Sequence, residues 1–148
     1  MKTTIQKSGF MTFLIICGCF MLMSSTKKTV TQTTPWVAPK EADALVNPVK
    51  DNATATVEGK KLYTQYCAVC HGDKGKGNGI AGAGLTPKPA DHTTPKCQSQ
   101  TDGAIYWKIT NGRPPMASYK NILKDEQRWA LVNYIRTLAA KGKATASK

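Results

Sequence analysis

Cys67-Ala68-Val69-Cys70-His71-Gly72 sets two thiols three residues apart, with an imidazole directly after the second. Such a cluster can hold a zinc ion, cycle as a redox disulfide or anchor a prosthetic group. The rest of the chain has to choose. A structural zinc site needs four ligands, and so a second Cys or His pair. Beyond the first 25 residues only Cys97 and His92 are left to supply one, and they are not closely spaced. A thioredoxin-type pair sits in a βαβ setting, and no strand pattern precedes this one. A plain disulfide leaves His71 without a role.

Upstream of the cluster, residues 1–25 read as an export signal rather than as fold. Lys2 and Lys7 give a positive start, and an apolar run from Phe10 to Met23 is broken only by Thr12 and Gly18. The run is short for a spanning helix of about 20 residues, although stretching it from Ser8 to Ser25 keeps an uncleaved anchor open. Ile16-Cys17-Gly18-Cys19 adds a third option, acylation at Cys19 as in a bacterial lipoprotein. Clean cleavage, lipid anchor and helical anchor all place the remainder outside the cytoplasmic membrane, in the periplasm. Setting the leader aside leaves Cys67, Cys70 and Cys97, a poor disulfide framework. Cys97 then reads as a buried or half-buried free thiol.

The net charge is +12. Without Lys2 and Lys7, 19 basic side chains face 9 acidic ones. A basic exported domain meets acidic proteins or anionic lipid, and such charge speeds encounter. The compartment argues against nucleic acid. Residues 26–55 are rich in Thr, Ala, Val and Pro, and Pro35, Pro39 and Pro48 forbid a long helix. They read as a tether, or as an arm lying on the domain with Trp36 and Leu45 as contact points.

The domain itself reads as residues 56–140, followed by a basic tail at 141–148. A first helix is expected from Val57 to about Cys70, capped by Thr56, with Leu62, Tyr66, Val69 and Cys70 on one buried face. Six glycines in 72–84 make a loop, and Pro87 and Pro89 stiffen its exit. A second helix runs from near Thr101 to the Asn111-Gly112 stop. Pro114 and Pro115 keep Arg113-Pro114-Pro115-Met116 extended. The last helix opens at Asp125-Glu126 and buries Leu131, Val132, Ile135, Leu138 and Ala139, with Trp129 and Tyr134 beside that face. No alternating strand pattern occurs, so the class is all-α with long loops. Gly77-Asn78-Gly79-Ile80-Ala81-Gly82 matches a dinucleotide fingerprint, but it follows a helix and precedes prolines, the wrong setting.

A domain of about this size with three short helices buries little core and needs a staple. Covalent haem supplies one. In the C-x-x-C-H signature the two thiols add to the haem vinyl groups, and the histidine binds the iron. Met1, Met11, Met21 and Met23 lie in the leader, so Met116 alone remains to fill the opposite axial position. It stands 45 residues after His71. A thioether there favours the reduced iron. His92 is the competing ligand, in a polar, proline-flanked stretch where a histidine is more simply exposed or hydrogen-bonded.

With those residues in hand, the chain resembles a mono-haem class I c-type cytochrome over about residues 57–139. The matching pieces are Gly59-x-x-Leu62-Tyr63, Cys67–Gly72, the Gly72–Gly79 loop, Thr101-Asp102-Gly103 with Trp107, Gly112–Met116, and Trp129-x-Leu131-Val132-x-Tyr134-Ile135-Arg136-x-Leu138. The resemblance implies a cytochrome c-like domain of three to four helices around one covalent haem c and its iron. It implies that Gly59 packs against an aromatic of the last helix, namely Tyr134. It also implies that a carbonyl in Leu85–Pro89, the segment containing Pro87, accepts from the His71 ring. Lys124 departs from the family, which commonly has a cap such as Ser there, and Cys97 has no familiar role.

The expected function is one-electron transfer with His71 and Met116 as axial ligands and no small-molecule substrate. Lys74, Lys76, Lys88 and Lys120 are candidates to steer acidic redox partners, and Arg113 is placed to pair with a haem propionate. Two alternatives remain. One is an electron-inlet subunit of a larger oxidoreductase complex. The other is a haem enzyme or gas-binding protein with an open sixth position.

Overall fold

A computed structural model describes residues 34–139 of the chain. The leader, the first part of the arm and the basic tail lie outside the described residues. Five α-helices follow a short 3-10 turn at Lys40–Ala44. They are α1 (Ala53–Tyr66), α2 (Ala68–His71), α3 (Pro95–Gln98), α4 (Asp102–Asn111) and α5 (Asp125–Thr137), with a second 3-10 turn at Ile80–Gly82. Among the described residues there is no strand, only an isolated bridge between Arg113 and Met116. The all-α expectation holds, and the short α2 and α3 raise the helix count above the expected three to four.

Helix α1 starts earlier than Thr56. Asn52 caps it, its side-chain oxygen accepting from the Ala55 N–H at 3.0 Å, because Asn is the stronger cap. Thr56 instead hydrogen-bonds back to the Asn52 carbonyl. The helix also stops earlier, at Tyr66. Cys67 forms a turn, and α2 restarts the spiral in a new phase. Val69, expected on the buried face, is therefore 51% exposed. Thr101 caps α4 through the Ala104 N–H, and Gly112 ends it at φ +63°. Lys124 cannot accept a hydrogen bond at the start of α5, so the Gln127 side chain takes its N–H instead.

The core forms where α1 crosses α5. Tyr63, Leu131 and Val132 are fully buried there. Gly59 makes the crossing close: a Cβ at that position would stand 1.9 Å from the Ala130 carbonyl oxygen and 3.1 Å from the Tyr134 Cβ. The last helix is thus met mainly through its backbone, with Tyr134 second. The Tyr134 ring packs on Tyr63, with centroids 5.0 Å apart.

Residues 40–52 also lie on this domain. The Ala42 carbonyl sits against Gly103, where a Cβ would approach to 1.9 Å. The buried Asn47 donates to Asn133 at 2.8 Å and to Asp102 at 3.1 Å. Asp102 in turn accepts from Arg136 at 2.7 Å.

Candidate functional site

The helices leave a cavity of about 720 Å³ in their midst, within the range of ligand-binding pockets. Cys67, Cys70 and His71 form part of its wall, and Met116, Arg113 and Pro87 also line it. Every residue singled out from the sequence as a site candidate therefore meets one space. Helix α4 contributes Ile105 and Ile109, and α5 contributes Ile135.

Each candidate is held by local structure. His71 is the last residue of α2, and its Nδ1 lies 2.9 Å from the Ala90 carbonyl oxygen. A carbonyl only accepts, so Nδ1 carries the proton and Nε2 keeps the lone pair a metal requires. The acceptor is one residue past the expected Leu85–Pro89 segment. The Pro89 carbonyl is instead packed against Gly77, where a Cβ would meet it at 2.4 Å. Burial lowers the His71 pKa, with the Ala90 hydrogen bond acting in the opposite sense. The ring is thus neutral near pH 7, as a ligand must be.

Cys67, Cys70 and Cys97 are free thiols. Burial, with a smaller contribution from Cys70, raises the Cys67 pKa to about 12, so the free group is a protonated thiol at neutral pH. No group of three or more His, Cys, Asp or Glu side chains that could hold a metal ion is assembled among the described residues. These observations disfavour both the zinc and the disulfide readings. Cys97 is buried, as its sequence setting suggests.

Met116 is presented by a tight loop. Arg113 and Met116 exchange both backbone hydrogen bonds, at 3.0 and 2.9 Å. Just beyond, the Tyr119 hydroxyl donates to the Tyr66 carbonyl at 2.9 Å. This contact ties the methionine loop to the end of α1. Arg113 donates from Nη1 to the Thr34 carbonyl at 3.2 Å and lies over the Trp36 ring.

Of the two settings expected for His92, exposed or hydrogen-bonded, the structure shows the second. This side chain lines the same cavity and stacks on His71, with ring centroids 4.2 Å apart. Its Nδ1 is 3.1 Å from the Tyr63 hydroxyl. Burial, then the neighbouring His71, lowers its pKa to about 3. Nothing in the sequence announces this stack, because the glycine loop that brings residue 92 back to residue 71 has no periodicity. Trp36, expected as a contact point of the arm and not as a site residue, lines the cavity.

The residues fit a haem. The cavity has the volume, largely hydrocarbon walls, two thiols on one side, a neutral and oriented imidazole, and a thioether. The Cytochrome c family matches residues 56–139, more than half of the chain. Among solved structures, the Kuenenia stuttgartiensis reducing HAO-like protein complex Kustc0457/Kustc0458 contains a chain 31% identical to this one. The match covers 63% of this chain and 47% of that one, with a TM-score of 0.57. The present chain thus spans about half the length of that relative. The KustC0563 c-type cytochrome is also 31% identical, over 55% of this chain and 98% of its own, with a TM-score of 0.46. No curated protein matches the chain. The cavity, its paired thiols and imidazole, and the family match over residues 56–139 lead to one assignment: the chain belongs to the cytochrome c family, whose cofactor is covalently bound haem c with its iron.

Proposed function

We propose that the chain carries single electrons on one haem c of the class I type, attached through Cys67 and Cys70, with His71 and Met116 as axial ligands. The observation that carries this reading is that a neutral, Nδ1-protonated imidazole and the Met116 loop line one cavity. Each thiol adds across a vinyl double bond, sulfur to one carbon and hydrogen to its neighbour, so no oxidant is consumed. When bound, the haem supplies a ferrous/ferric couple. The chain's own residues set its properties. The Ala90 carbonyl fixes the His71 ring and strengthens it as a donor. The Met116 thioether favours the reduced iron. If His71 and Met116 both hold the iron, the site would have no place for a small-molecule substrate.

Pro87 walls the cavity. Arg113 has spent one of its five N–H donors on Thr34, and the others are available to a propionate. Lys74, Lys76, Lys88 and Lys120 are exposed and steer acidic redox proteins toward the domain. The export-signal reading of residues 1–25 supports a site of action outside the cytoplasmic membrane, in the periplasm, with the domain anchored through those residues or released by cleavage and serving a respiratory chain.

Met116→Ala tests the ligation. The variant is expected to keep its haem, to lose the weak long-wavelength sulfur-to-iron band, and to fall in reduction potential. The drop is on the order of 0.1 V, within the span of about 0.8 V that axial ligands control. An unchanged spectrum and potential would reject Met116 as ligand.

A second reading is an electron-inlet subunit of a larger oxidoreductase. It is favoured by the similarity to a protein complex of which this chain matches only part of one component. Stable co-purification with partner subunits supports that reading, and a freely diffusing monomer supports the carrier.

A further inference from the structure

Thr34, Pro35 and Trp36 belong to the cavity wall although they precede α1 by many residues. Three contacts seat them. Arg113 Nη1 donates to the Thr34 carbonyl at 3.2 Å. The Arg113 guanidinium carbon lies 5.2 Å from the Trp36 ring centroid, and Lys108 Nζ lies 5.7 Å from it. One indole thus attracts two cations that would otherwise repel each other. Arg113 is also bridged through its backbone to Met116, so the segment rests on the loop that presents the thioether. Its downstream end is fixed as well, by Ala42 against Gly103 and by the buried Asn47.

We propose that Thr34–Trp36 is the outer wall of the haem cavity on the Met116 side, and that Trp36 keeps external ligands from the sixth position of the iron. The proposal rests on the reading of Met116 as sixth ligand. A thioether is a soft, weak donor, and a nitrogen ligand that reached the iron would compete with it. Protection has to come from access. The Trp36 side chain supplies it by covering the cavity where α4 and the methionine loop diverge, and so makes the site specific for electron transfer rather than for binding small ligands. The arm therefore belongs to the cofactor site, although the cytochrome match begins only at residue 56.

The test uses the full chain loaded with haem, with Trp36→Ala and the conservative Trp36→Phe. Trp36 is outside the buried core cluster, so both variants retain the fold. The probes are imidazole added to the ferric protein and carbon monoxide added to the ferrous protein. Trp36→Ala is expected to bind imidazole about tenfold faster, the scale set by losing two cation–π contacts. Trp36→Phe stays near the unaltered protein, and both keep the sulfur-to-iron band before imidazole is added. Equal binding rates in the unaltered protein and Trp36→Ala would overturn the proposal. Ready binding by the unaltered protein would overturn it too. In that case the band recorded beforehand separates the two claims: if it is present, only the shield fails, and if it is absent, Met116 ligation fails with it.

Discussion

Replacing Gly59 with Ala probes the crossing on which the fold depends. A Cβ there would stand 1.9 Å from the Ala130 carbonyl oxygen, and ordinary contact begins at 3.4 Å. The obstacle is backbone, so no side chain can swing aside, and α1 and α5 must part by about 1.5 Å. A radial gap of 0.5–1 Å already forfeits roughly a quarter to a half of each dispersion contact. Leu62, Tyr63, Leu131 and Val132 are buried at this crossing or beside it, and each contributes about 1.5–3 kcal/mol by burial. The gap narrows away from the point of contact, so about a quarter of these four contributions is lost, roughly 1.5–3 kcal/mol. Replacing a mid-helix Gly by Ala returns about 1 kcal/mol. The net destabilisation is about 0.5–2 kcal/mol, which lowers the melting temperature of a domain this size by roughly 2–16 °C. Thermal unfolding of the haem-loaded protein, followed by far-UV circular dichroism, measures it. Gly84→Ala is the control, since a Cβ there meets nothing within 4 Å, and its midpoint is expected to stay put. If Gly59→Ala melted at the same temperature as the parent or higher, helix propensity would have won and the close-crossing account would be wrong.

Asn47→Ala removes the donor to the buried Asn133 side chain and one of the donors to Asp102. A loss of about 1–3 kcal/mol follows from leaving buried acceptors short of partners. It is read as a lower denaturant midpoint at unchanged slope, and an unchanged midpoint would show that residues 45–49 are not part of the folding unit. Asp102 gives a pH dependence. Burial pushes its carboxyl up, but the hydrogen bonds from Asn47 and Arg136 and the Arg136 charge outweigh it and leave the pKa below the ordinary 3.8. A lowered carboxylate pKa stabilises the fold above the unfolded-state value and loses that contribution as pH falls through the folded value. The stability gap between the parent and Asp102→Asn is therefore expected to be full at neutral pH and to close only below about pH 4. A gap that widened in acid would reverse the assignment.

Local rules read much of this molecule directly. The Asn111-Gly112 stop and the apolar face of α5 are patterns in neighbouring residues; the stop and the burial of Leu131, Val132 and Ile135 stand in the structure, but α5 ends at Thr137, leaving Leu138 half-buried and Ala139 exposed beyond it. The site was legible because two cysteines, a histidine and the lone methionine outside the leader each carry distinctive chemistry, and all of them line one cavity. What local rules missed depends on contacts across the fold. The break at Cys67 turned Val69 outward, and Asn52 outcompeted Thr56 as cap. The acceptor for His71 is a main-chain oxygen at Ala90, which no side chain announces. His92 and Trp36 reach the cavity through the folding of a glycine loop and a proline-rich arm, segments without a period to read.

The central claim is a haem fixed to this chain through Cys67 and Cys70. Intact mass after denaturation, on protein matured with haem-attachment machinery and carrying both Cys67→Ala and Cys70→Ala or neither change, tests it most directly. The account predicts that the parent retains the mass of one haem and that the double variant retains none. A parent chain whose mass equals that of its polypeptide alone would contradict it.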